Sequence, residues 1–402
     1  MFSVPEKQPK ASSTADHAGR RQSSAVAALG PRSRALDGLR AIAVLSVVFF
    51  HTGQLPFGWL GVPLFFALSG HFITRTLLEK EGGSRIQRTR DFFRNRVLRL
   101  APIYLCVCTA VTVVAVAGYH RAEIYADLPY LWTWTYDFRT LGDNFQNPSV
   151  PIYDQFWSLG VEVQLYVVWV ALALLLPRRR FVQTVVVLAL TGPLVRVLVY
   201  ALLPLIESDE QLRLFSLTQS PFTYLETFAV GACTALPELR DAVRRWAWVP
   251  LAATVVVTVS LVLRTVLIRG VFPADLGFTV TFSDYFGWIW QYTIVSFAFG
   301  SLVYFGSKSG CFARALSMQW LVRVGVISYG VYALHVPILG QLSRLMEQPQ
   351  ATDAFGARWS GEDLRYAAAV FIATIVAAEL SFRCLETPFL KLKRWPLAQG
   401  CK

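Results

Sequence analysis

The sequence is poor in charge and poor in sulfur. Only 16% of its 402 residues are Asp, Glu, Lys or Arg, whereas 54% are hydrophobic. Soluble domains carry about 25% charged residues, so the deficit argues against a soluble enzyme and for a chain solvated largely by lipid. Six cysteines, at 106, 108, 233, 311, 384 and 401, include no CxxC pair. They read as small apolar residues, which excludes a disulfide framework and leaves no metal expected. Residues 1 to 34 lack an apolar core, so no cleavable signal peptide is read there. The Arg20-Arg21 pair lacks the hydrophobic run a twin-arginine signal needs, and a disordered basic cytoplasmic tail is the expectation. No internal repeat and no appended soluble domain is visible.

What is present is a succession of apolar runs. Runs of about 18 to 22 residues predict an all-α integral membrane fold of about ten helices. They lie near 36–52, 57–74, 97–118, 155–176, 181–205, 220–236, 246–266, 285–305, 321–341 and 366–386. The stretch LPYLWTWTYDF at 128–138 is too short and polar to span and reads as an interfacial or re-entrant piece. The formal net charge of +12 invites a nucleic-acid reading, but the distribution of the charge favours a membrane surface. With the N-terminus inside, 27 of the 38 Lys and Arg fall on the cytoplasmic side and 8 on the other. The positive-inside rule then predicts both termini in the cytoplasm, in contact with membrane lipids and no nucleic acid.

Ionisable groups inside these runs mark candidate sites, because hydrocarbon penalises them. In LDGLRAIAVLSVVFFH, the eleven residues from Arg40 to His51 turn through about 1100°. The two side chains therefore share one face, roughly 16 Å apart along the axis, with Asp37 one turn before Arg40. Left to themselves, these groups fit a snorkelling arginine and an interfacial histidine as well as a path across the membrane. Other helices repeat the pattern. QFWSLGVEVQLYVVW sets Gln155, Ser158, Glu162 and Tyr166 on one seam, and ISYGVYALH aligns Ser328, Tyr332 and His335. ELSFRCLETP places Glu379, Arg383 and Glu386 at spacings of four and three, predicting a local ion-pair stack that ties helices together.

The second run, GWLGVPLFFALSG, offers Gly58, Gly61, Ser69 and Gly70, small residues that allow close helix packing or close approach to a ligand. After it, RTRDFFRNRVLRLAPIY clusters Arg94, Arg96 and Arg99 at a cytoplasmic helix entrance. Such a cluster suits either anionic lipid or a phosphate-bearing ligand, since guanidinium forms paired, charge-assisted bonds to phosphate.

The segments LDGLRAIAVLSVVFFH, GVPLFFALSG, RNRVLRLAPIY, FWSLGVEVQLY, ISYGVYALH and LETP, in this order, closely resemble the acyltransferase-3 family of integral membrane acyltransferases. The resemblance covers about residues 35–390. It implies a membrane domain at 35–386 between basic tails at 1–34 and 387–402, in the cytoplasmic (inner) membrane. It also implies transfer of an acyl group, often acetyl, from acyl-coenzyme A to a hydroxyl, with acyl-coenzyme A as donor substrate and no permanently bound cofactor. The implied acceptors are surface polysaccharide, peptidoglycan, lipid-linked or signalling glycans or, in some branches, macrolides. By the same resemblance His51 takes the essential histidine position with Arg40 before it. Arg96 and Arg99, with Arg94 beside them, take the coenzyme A end, and Glu162 is the membrane carboxylate.

On this expectation His51 acts as general base or as transient acyl carrier, and Glu162 orients it. Arg40 holds either the donor or Asp37. Ser69, Gly70, Ser158, Ser328, Tyr332 and His335 are candidate substrate contacts. Two departures from the family pattern stand out. Val163 follows Glu162 where many members have a second acid, and His71 follows Gly70 where Phe or Tyr is usual. The hydrolase-like domain fused to some relatives is also missing from this chain. The rival readings are a transporter or flippase for a lipid-linked glycan and a non-catalytic relative. Turnover of acyl-coenzyme A separates both from the enzyme.

Overall fold

The structure is a computed structural model that describes residues 31–79, 85–118, 121–140, 153–205, 208–347 and 360–392. The tail at 1–30, most of the second half of the 119–154 loop and the last ten residues lie outside these ranges. Among the described residues the regular elements are all helical. The principal ones are α1 (Pro31–His51), α2 (Gly61–Glu79), α3 (Arg85–Val116), α4 (Arg121–Trp132), α5 (Phe156–Leu175), α6 (Arg178–Leu190) and α7 (Gly192–Leu202). They continue with α8 (Glu210–Gln219), α9 (Pro221–Cys233), α10 (Trp248–Arg269), α11 (Gly287–Gly306), α12 (Gln319–Val326), α13 (Ser328–Leu345) and α14 (Gly361–Ser381).

Among the described residues six segments are long and apolar enough to cross a membrane, and two bent helix pairs bring the number to eight when each pair is taken as one span. The expected ten runs differ from this for identifiable reasons. Helix α1 carries Arg34, Asp37 and Arg40 within its length, and α9 has 13 residues, about 20 Å of helix, short of a ~30 Å hydrocarbon core. The run predicted at 181–205 is broken by Gly192-Pro193 into α6 and α7, bent by 64°. Proline lacks the N–H and clashes with the preceding turn, so the helix restarts there. The run at 321–341 is likewise two helices, α12 and α13, bent by 71° at Ile327. The run expected at 97–118 is helical from Arg85, so Arg94, Arg96 and Arg99 project from one continuous helix. The 128–138 piece forms the end of α4 and a single turn, Tyr136–Arg139, separated by Trp134 in a left-handed conformation.

The arrangement runs from core to lipid. Helix α2 sits at the centre, with 72% of its apolar window buried, whereas α10 buries no residue and presents Val255, Val259, Leu263 and Leu267 outward. An apolar helix with so much exposed surface is stable only against hydrocarbon. At the centre, small residues set the spacing. A Cβ on Gly70 would stand 2.0 Å from the Phe228 carbonyl oxygen, and one on Gly231 would stand 1.9 Å from that of Ala67. Helices α2 and α9 therefore touch backbone to backbone. Gly231→Ala is expected to destabilise the fold by about 1–3 kcal/mol through forced separation of these helices. Thermal unfolding in detergent checks this, and an unchanged midpoint would refute the close-contact argument.

The predicted stack of Glu379, Arg383 and Glu386 forms only in part. Glu379 accepts from Arg383 Nε at 2.6 Å, as expected, and also from Arg323 Nε at 2.9 Å, pinning α14 to α12. Glu386 does not join that stack. A π-turn over Phe382–Glu386 widens the helix just before Pro388 and shifts its phase, so Glu386 turns inward and is 2% exposed.

Candidate active site

Five helices converge on one narrow cavity. Helix α1 contributes Arg40; α2 contributes Val62, Phe65 and Phe66; and α3 contributes Arg96, Arg99 and Leu100. Helix α5 adds Ser158, Leu159, Glu162 and Tyr166, and α13 adds Ser328, Tyr329 and Tyr332. The polar seams predicted on α1, α5 and α13 thus face one another, because each is the one stripe that its helix cannot present to lipid.

The cationic wall is held by aromatic rings and carboxylates. Arg40 lies 5.0 Å over the Phe72 ring and 3.7 Å from Asp37, so it both lines the cavity and holds the aspartate. Its Nε is buried without a hydrogen-bond partner among the described residues. Arg96 rests 5.1 Å over Tyr166 and 5.5 Å over Phe92. Arg99, one turn on, lies within electrostatic range of Asp37 and Glu386. Arg94 points elsewhere: its Nη2 donates to the Leu392 carbonyl, fastening the chain's last described turn. Three guanidinium groups around one opening suit a polyanion.

Glu162 belongs to this arginine end. It accepts from Ser69 Oγ at 2.5 Å and from the Tyr166 hydroxyl. The expectation that it orients His51 has no hydrogen bond behind it among the described residues. Gly70 serves the α2–α9 contact, and His71 Nδ1 pairs with Thr234 Oγ1 at 2.7 Å. Ser328 is buried in the cavity wall.

At the α5–α13 wall of the cavity, Ser158 Oγ and the Tyr332 hydroxyl meet at 2.5 Å, and Gln155 Nε2 donates to the Ala333 carbonyl at 3.0 Å. These contacts join α5 to α13. Tyr332 is also the link to the histidines: its ring lies 5.4 Å from that of His335, whose Nδ1 is 2.6 Å from the Tyr332 carbonyl oxygen. His51 Nδ1 is 2.9 Å from the Val47 carbonyl oxygen and 3.4 Å from His335 Nε2, the two rings standing 5.0 Å apart. His51 is not among the residues lining the cavity. Tyr332 lines the cavity together with the arginines and touches the ring of His335.

Sequence reasoning missed this pairing, since 284 residues separate His51 from His335 and neither motif encodes the other. It also gave no role to the ion pair Arg196–Glu226, both side chains 0% exposed at 2.7 Å. The signal for it was available: an arginine and a glutamate, each within a predicted apolar run.

Comparison with known proteins adds a family to this geometry. A family model described as an acyltransferase domain, Acyl_transf_3, matches residues 33–380. O-acetyltransferase OatA of Staphylococcus aureus is 26% identical over 374 residues, covering 89% of this chain and 57% of the relative. Peptidoglycan O-acetyltransferase OatA of Listeria monocytogenes is 25% identical over 378 residues, covering 89% and 55%. Putative peptidoglycan O-acetyltransferase YrhL of Bacillus subtilis is 38% identical over 147 residues, 33% of this chain and 22% of the relative. The chain spans little more than half the length of the OatA relatives. No solved structure matches it. With the family model covering most of its length, the chain belongs to the acyltransferase-3 family of membrane proteins.

Proposed function

We propose that this protein is a membrane O-acetyltransferase that moves an acetyl group from cytoplasmic acyl-coenzyme A to a hydroxyl of a carbohydrate acceptor of the peptidoglycan class. The observation that carries the reading is the convergence of Arg40, Arg96 and Arg99 on a cavity that Tyr332 joins to the histidine pair. The Listeria and Bacillus relatives, named as a peptidoglycan and a putative peptidoglycan O-acetyltransferase, favour peptidoglycan over the other acceptors. The topology proposed with it is about ten membrane helices, the short α9 among them, with both termini cytoplasmic, in the cytoplasmic membrane, which sets the arginines at the donor's side.

The chemistry comes from the donor's charge and the histidine's lone pair. Coenzyme A phosphates rest on the guanidinium groups, and the pantetheine arm carries the thioester past Tyr332. The acceptor oxygen attacks the thioester carbon, forming the C–O bond. Its proton passes to His51 Nε2 as the C–S bond breaks, and His51 returns that proton to the leaving sulfur. The hydroxyls of Ser158 and Tyr332, both on the cavity wall, donate to the thioester oxygen as charge develops on it. Glu162, held by Tyr166 and Ser69, keeps the arginine wall ordered by fixing the Tyr166 ring on which Arg96 rests.

The test is release of free coenzyme A from acetyl-coenzyme A by the full chain in lipid, with peptidoglycan fragments, polysaccharide and macrolide as alternative acceptors. Acceptor-dependent release with the peptidoglycan fragment is the expected result. Absence of both release and binding of labelled acetyl-coenzyme A would overturn the reading in favour of a transporter. Arg96→Ala and Arg99→Ala are each expected to raise KM for the donor roughly 10- to 100-fold, the equivalent of one charged hydrogen bond. Steady-state kinetics at saturating acceptor measures this, and an unchanged donor KM would remove the arginines from the donor site.

A further inference from the structure

We infer that His335 is the positioning residue for His51, in the place first given to Glu162. The inference rests on the functional reading above for its consequence, but its geometry stands independently. Both contacts made by the Nδ1 atoms run to backbone carbonyls: His51 to Val47 at 2.9 Å and His335 to Tyr332 at 2.6 Å. A carbonyl only accepts, so each neutral ring carries its proton on Nδ1. His335 Nε2 is then a bare lone pair, and it faces His51 Nδ1 at 3.4 Å. The His51 N–H is shared between two acceptors, one on its own helix and one on α13.

This arrangement has three consequences. First, the shared N–H fixes the His51 tautomer, so Nε2 is the nitrogen left to take a proton. Without His335, Val47 alone would hold the ring, through a carbonyl one turn before the end of α1. Second, when His51 becomes an imidazolium, the His335 lone pair accepts the more acidic N–H and stabilises the cation without a carboxylate. Third, His335 is 0% exposed and sits on the carbonyl of Tyr332, whose hydroxyl binds Ser158 at the cavity. The residue that borders the donor cavity therefore also sets the orientation of the base.

The experiment is magic-angle-spinning NMR on the full chain in lipid, with 15N-labelled histidine. The chain has five histidines, and the His51 signals are identified by their loss in His51→Gln. Wild-type His51 is expected to carry its proton on Nδ1. His335→Phe, which keeps the ring but removes the lone pair, is expected to show a mixture of tautomers at His51. Its kcat is expected to fall about 100-fold with donor KM unchanged, while His335→Gln recovers about tenfold by restoring an acceptor near the Nε2 position.

A wild-type His51 protonated on Nε2 would overturn the proposal whether or not the variants fold. So would a His335→Phe protein with an unaltered His51 tautomer. If wild type releases no coenzyme A, the functional reading falls while the tautomer still decides the role of His335.

Discussion

His51→Ala is expected to lower kcat for acceptor-dependent coenzyme A release roughly a hundred- to ten-thousand-fold, the range that general-base catalysis supplies. Donor binding is expected to survive, because Arg40, Arg96 and Arg99 line the cavity and His51 does not. Titration with labelled acetyl-coenzyme A and single-turnover kinetics on one preparation separate the two effects. Loss of turnover with donor affinity intact supports His51 as the base. Loss of donor affinity in step with turnover would place His51 in the donor site. The loss of His51 is expected to exceed that of His335, since the base itself goes rather than its orientation.

The second large effect concerns stability. Arg196 donates through Nη1 to Glu226 at 2.7 Å, and through Nη2 to Thr293 Oγ1 at 2.6 Å and the Ile289 carbonyl at 2.7 Å. It thereby binds α7, just past the Gly192-Pro193 break, to α9 and α11. Glu226→Gln leaves the guanidinium without its counter-charge, and about 3–5 kcal/mol of stability is expected to go with it. The double replacement Arg196→Met, Glu226→Leu removes both charges at similar volume and is expected to recover most of the loss, because a buried ion pair contributes little net stability over a well-packed apolar pair. Thermal unfolding of wild type, Arg196→Met, Glu226→Leu and the double variant in one lipid forms the cycle, with Glu226→Gln measured beside it. A Glu226→Gln protein that melts with wild type would show that the pair does not fasten the broken helix. Gly192 enters the same argument, since a Cβ there would stand 2.2 Å from the Glu226 carboxyl carbon. Any larger residue at 192 displaces the carboxylate.

Much of the site was legible in the sequence. The seam Gln155, Ser158, Glu162 and Tyr166 emerges as one face of α5, because a four-residue spacing on a 3.6-residue turn leaves little choice. Arg40, Arg96, Arg99, Ser328 and Tyr332 line the same cavity for a related reason: a polar stripe on a lipid-solvated helix must turn toward protein. Three readings went differently. Glu386 left the predicted stack with Glu379 and Arg383 because a π-turn shifts the phase of the helix, and residue spacing assumes constant phase. Arg94 turned to the Leu392 carbonyl although it belongs to the same cluster as Arg96 and Arg99. Glu162 went to Ser69 and Tyr166, and His335 came to His51.

The sequence by itself determined the class of solvent, the helical period of each segment and the face on which each ionisable group stands. Those properties are local: hydrophobicity, chain geometry and the cost of a charge in hydrocarbon act within a few turns of one helix. Which seam meets which was decided by tertiary structure alone. Backbone contacts at Gly70 and Gly231 set the separation of α2 and α9, and the breaks at Gly192-Pro193 and Ile327 set the angles of two helix pairs. The 3.4 Å approach of His51 to His335 joins residues 284 apart, a relation that no helical period contains.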